Sequence, residues 1–181
     1  MNTVCGVAFL GILPFLLSVD IQPEFVFQRT EQTKGFDIYR TKLRITKFNR
    51  TTAVLNGTVD VFVDLDNALT AQIDLAYSRL GNNQFNNYPL KIAQRPFCHF
   101  LNDTYKEYRE LFSNTSNFPS FGDGLCPFPA GHYWFRNFVF DAEHVPFAAP
   151  EGFWRITFLI KGRQSEAEFQ IFAKFSRESY W

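Results

Sequence analysis

Three cysteines, three histidines and a scatter of carboxylates are the groups in this 181-residue chain whose chemistry could define a site. Cys98 and Cys126 are the only cysteines outside the first five residues. In a secreted chain each has no partner but the other, and the bond would close a ring of about 29 residues worth roughly 3–4 kcal/mol in the loop-entropy model. His99, His132 and His144 lack metal-ligand spacing, so neither a metal nor a cofactor is expected. There is no G-x-S-x-G elbow and no H-E-x-x-H pair. Asp64-Leu65-Asp66 could open a calcium loop, but the glycine and distal glutamate of an EF-hand are missing and a polar turn is the simpler reading. Glu166 and Glu168 alternate with apolar residues and should face solvent. No catalytic residue is assigned, and the chain reads as a non-enzyme.

The remaining chemistry-bearing motifs concern address. Residues 4–17, VCGVAFLGILPFLL, are an apolar run too short to span a bilayer comfortably, followed by the polar switch Ser18-Val19-Asp20. Residues 1–18 are therefore read as a signal peptide, whose removal takes Cys5 away and leaves no membrane span. Four sequons begin at Asn49, Asn56, Asn102 and Asn114, none with proline in the middle, and they predict an extracellular glycoprotein.

Residues 19–181 are long enough for one domain with its own core. Lys plus Arg and Asp plus Glu both number 18, so no global field favours nucleic acid or an anionic membrane. The outlying feature is aromatic: 23 Phe, 7 Tyr and 3 Trp. Such rings can fill a core, or line a space for something flat or oily.

The elements that must position these groups are mostly strands. Phe25–Phe27 suggests a short first strand, and residues 36–48 alternate for most of their length. Residues 53–65 set Leu55, Val59, Val61 and Val63 against Asn56, Thr58, Asp60 and Asp64, the period-2 pattern of a strand with one buried face. Residues 68–79 repeat it, and with DLDNA as a turn the two runs read as a long hairpin. Leu90 and Ile92 suggest a short strand. Phe97, Leu101, Tyr105, Tyr108 and Phe112 make a helical stripe over about 98–113. Residues 132–140, 153–161 and 166–176 are aromatic-rich strands. The expected fold is all-β: a two-sheet β-sandwich with one short helix.

The order of these features, with FCHFL, LCPFPAGHYWFRNF and the PEGFWR strand, resembles a secreted insect family of unknown function. That family is grouped with the CheB chemosensory proteins and, more distantly, with the lipid-recognition (ML) domains. The resemblance covers about residues 25–176 and is sharpest at Cys98, Cys126-Pro127, Gly131, Tyr133 and Pro150–Phe153. It implies an immunoglobulin-like sandwich whose sheets part to admit a lipid, with a disulfide near the cavity mouth. One cysteine pair, where vertebrate ML domains have several, is a departure.

The candidate cavity walls are Val61, Val63, Ile73, Leu75, Tyr133, Phe135, Trp154, Phe158, Phe169 and Ile171. Two functions compete. One is a secreted carrier of an apolar small molecule, a lipid or pheromone-like hydrocarbon, in a chemosensory role. The other is an extracellular interaction module with a solid core, meeting a receptor through edge rings such as Tyr180 and Trp181. A structural secretory glycoprotein with no ligand is a weaker third.

Overall fold

A computed structural model describes residues 21–50, 52–119 and 125–179. The signal-peptide reading, Cys5, Tyr180 and Trp181 lie outside them.

Eight strands form two antiparallel sheets, as the alternation predicts. They are β1 (Ile21–Lys34), β2 (Tyr39–Lys47), β3 (Ala53–Val61), β4 (Thr70–Ser78), β5 (Asn86–Pro96), β6 (Gly131–Phe138), β7 (Gly152–Lys161) and β8 (Glu166–Ser179). The larger sheet runs β1-β8-β7-β4-β5 and the smaller β2-β3-β6. One core cluster takes side chains from both, among them Phe27, Leu55, Val61, Tyr133 and Ile160, so the sheets pack face to face. The described part of the chain is an all-β sandwich.

The expected hairpin of β3 and β4 does not form. β3 pairs with β2 and β6, whereas β4 pairs with β5 and β7. The segment between them crosses from one sheet to the other. Leu65 is held by two 2.9 Å backbone bonds to Phe128, and the Asp66 carboxylate accepts the Ala68 N–H. Alternation shows which face of a strand is buried but not which strand lies beside it.

Two strands are longer than their apolar signals. β1 extends past Phe27 because polar residues there bind the other sheet: Gln32 Nε2 donates to the Tyr39 carbonyl, and Gln32 Oε1 accepts the Thr41 N–H. These bonds close one side of the sandwich. β5 is an edge strand of mostly exposed residues, which hides the alternation.

The other side is closed by the helix. It runs as α1 (Phe97–Phe100), a π turn (Leu101–Tyr105) and α2 (Lys106–Phe112). Phe97, Phe100 and Leu101 are buried, and Phe112 stacks on Phe138 of β6 with ring centroids 5.2 Å apart. Cys98 and Cys126 are bonded, with Cα atoms 5.5 Å apart, which ties the start of the helix to the segment entering β6.

Candidate ligand site between the sheets

Strand register arranges the inward side chains of the larger sheet in rows across β4, β7 and β8. Ala71, Ile160 and Ala167 form the first row, then Ile73, Phe158 and Phe169. Leu75, Ile156 and Ile171 follow, and Tyr77, Trp154 and Ala173 complete the set. The first row is sealed, at 0–1% exposure. Trp154 and Ala173 in the last are also buried. All six residues of the two middle rows are only half-buried. A sandwich of ordinary packing density buries its middle best. Here the order is inverted.

The facing sheet has the same weak point. Leu43 and Ile45 of β2 are half-buried, and between Leu43 and Phe135 stands Gly57, with no side chain to offer. Its φ of 134° is closed to other residues at low cost, and a Cβ there would collide with the Lys42 carbonyl.

Both ends of this band are capped. Tyr39, Val61, Leu65, Phe128 and Tyr133 close one end. The Tyr133 hydroxyl donates to the Pro129 carbonyl at 2.7 Å, and burial raises its pKa. At the other end Ala142, Ala149, Trp154 and Phe175 form a separate cluster under the 141–150 connection. Trp154 Nε1 donates to the Pro150 carbonyl at 3.1 Å, and Arg177 donates to the carbonyls of Phe147 and Ala149.

Nine of the ten expected wall residues are buried or half-buried. Val61, Tyr133 and Phe135 come from the smaller sheet; Ile73, Leu75, Trp154, Phe158, Phe169 and Ile171 from the larger. Val63 is a correction: β3 stops at Val61, and Val63 is 45% exposed in the bend that crosses between sheets. Leu43, Ile45, Ile156 and Phe100, absent from the expected wall, also belong to this interior. The first three are legible as alternation within their strands, and Phe100 stands at the i+3 helical spacing from Phe97, beside the stripe that runs through Leu101.

The polar candidates do other work. Asp64 accepts the Ala130 N–H at 2.7 Å, so Asp64 and Asp66 both serve turns. Glu166 pairs with Lys34 at 3.0 Å, and Glu168 lies 3.9 Å from the same ammonium. His132 is bonded to Asp60 on the outer face of the smaller sheet, and His144 packs on the rings of Tyr108 and Phe140. Among the described residues no group of three or more His, Cys, Asp or Glu could hold a metal ion. No described helix is long and apolar enough to cross a membrane.

The sequons differ in setting. Asn49, Asn102 and Asn114 are exposed. Asn56 is half-buried, its Nδ2 donates to the Thr46 hydroxyl at 2.7 Å, and its Oδ1 accepts the Asn137 N–H at 2.8 Å.

No curated protein matches the chain. Residues 71–156, from β4 through the helix, both cysteines and β6 into β7, match the model of a family described as a protein of unknown function (DUF1091).

Proposed function

We propose that the protein is a secreted glycoprotein that holds one apolar ligand, a lipid or pheromone-like hydrocarbon, between its two sheets. The single observation that carries this reading is the inverted burial of Ile73, Leu75, Ile156, Phe158, Phe169 and Ile171. Six apolar side chains point inwards at the centre of the sandwich and keep accessible surface, while Ala71, Ile160, Ala167, Trp154 and Ala173 in the rows beyond them are sealed. A ligand covering them gains roughly 0.8 kcal/mol per methylene, so a chain of about sixteen carbons gains on the order of 10 kcal/mol before association costs. No polar contact is needed for that, which suits a carrier. The resemblance to the CheB and ML groups points the same way, and the cysteine pair and exposed sequons suit the extracellular space.

The test is native mass spectrometry of the protein recovered from culture medium, with extraction into organic solvent. A co-purifying lipid or hydrocarbon, or displacement of a fluorescent fatty-acid probe, is the expected result. Repeated recovery of ligand-free protein that excludes such probes would overturn the proposal in favour of an interaction module.

A further inference from the structure

The two sheets treat their outward charges differently. On the larger sheet cations sit beside carboxylates: Arg29 with Glu31, Lys34 with Glu166 and Glu168, and Lys161 with Glu166. On the smaller sheet Arg40, Lys42 and Arg44 share the exposed face of β2, at about 7 Å per step along an antiparallel strand. The paired residues of β3 are Asp60, Thr58 and Asn56, and β6 adds His132, Trp134 and exposed Arg136.

Among the described residues none of these four cations has a carboxylate within ion-pair distance. Asp60, the one acid among these residues, is bonded to His132. The Arg136 guanidinium lies 4.3 Å from the centre of the Trp134 ring, which holds it over the sheet. A chain with no net charge thus concentrates positive charge without carboxylate partners on one outer sheet face.

We propose that this outer face of β2-β3-β6 binds a linear sulfated glycan. A row of cations at regular strand spacing matches a polymer carrying sulfates at regular intervals, and guanidinium groups grip such oxyanions in a forked geometry. Thr58 supplies a hydroxyl between the cations. Exposed Phe62 lies beside Arg40, its ring centre 5.8 Å from the guanidinium, so the comparison with phosphatidylserine vesicles is what separates a glycan site from a membrane surface. The choice of sulfated glycan over other polyanions rests on the extracellular reading above; the charged face does not depend on the interior being occupied.

The experiment uses the full chain as secreted, on immobilised heparin and on a plain sulfonate exchanger. R40S/K42S/R44S is compared with K91S/R163S/K174S, which removes the same charge from exposed positions elsewhere. Wild type and the control should elute from heparin at about twice the salt that releases R40S/K42S/R44S, because fewer counterions are exchanged in that variant. On the sulfonate exchanger the two variants should elute together. Equal elution of both variants from heparin, or no retention of wild type at physiological salt, overturns the proposal. So does tighter binding to phosphatidylserine vesicles or to single-stranded DNA than to heparin. Full glycan occupancy of Asn56, which stands among these cations, overturns it too. Secretion and lipid content are read separately, so the two proposals fail independently.

Discussion

The ring of Phe100 lies 5.5 Å from that of Phe158, so the helix that starts beside Cys98 rests on a half-buried row of the larger sheet. Helix and middle rows are therefore one structure, and filling the rows tests both. Ile156→Trp adds bulk at the centre of the band. If the space is for a ligand, fatty-acid probe binding should fall at least about tenfold while melting stays near wild type. In a solid core the same change is overpacking and costs about 1–3 kcal/mol. Paired probe titration and thermal melts separate the outcomes.

The disulfide fixes where that helix begins. Cys98 is buried, and its N–H is held by the Asn67 side chain at 3.1 Å. Cys98→Ser should cost roughly 3–4 kcal/mol through the unfolded chain and sharply lower the yield in culture medium. Normal yield with unchanged melting would show that the bond constrains nothing the fold needs.

How much of this was legible in the sequence depended on which force set each element. Burial on one face writes alternation, so β2, β3, β4, β7 and β8 were readable to within a few residues. Pairing writes nothing comparable, and β3 and β4 passed for a hairpin although Leu65 and Phe128 route the chain between sheets. β1 was cut short because Thr30 and Gln32 contribute hydrogen bonds to β2 rather than apolar area. The wall of the candidate site was legible for the same reason as the strands. Its inverted burial was not, because alternation marks an inward side chain without telling whether anything fills the space beside it. Val63 failed because the alternating pattern runs on to Leu65, four residues past the last β3 residue.

Sequons are read by motif, and occupancy depends on access to the amide nitrogen. Asn102 and Asn114 are exposed and should carry glycan, whereas Asn56 has its amide committed to Thr46 and Asn137 across a β-bulge. Peptide mass spectrometry after enzymatic deglycosylation in heavy-oxygen water should label Asn102 and Asn114 and leave Asn56 largely unlabelled. Replacing Asn56 by Ala should cost about 1 kcal/mol by leaving the Thr46 and Asn137 groups unpaired. Strong labelling at Asn56 would contradict the access argument.

Tyrosines at the margins of the interior give the fold an alkaline limit. Burial pushes the Tyr105 phenol up to about 12, and its hydroxyl donates to the Pro119 carbonyl at 3.4 Å. Burial raises Tyr39 as well, helped by the charge of Glu168. A free tyrosine ionises near pH 10, so above that the unfolded chain sheds protons that the folded chain keeps. Stability is whole below about pH 10 and falls as pH climbs to about 12. Denaturant melts across this range should show the fall, and Tyr105→Phe should flatten part of it. Tyr39→Phe should do the same at no cost near neutrality, because its buried hydroxyl has no hydrogen-bond partner among the described residues and its loss removes a desolvated polar group. A Tyr39→Phe variant more than about 1 kcal/mol less stable at pH 7 would mean that this hydroxyl is satisfied after all.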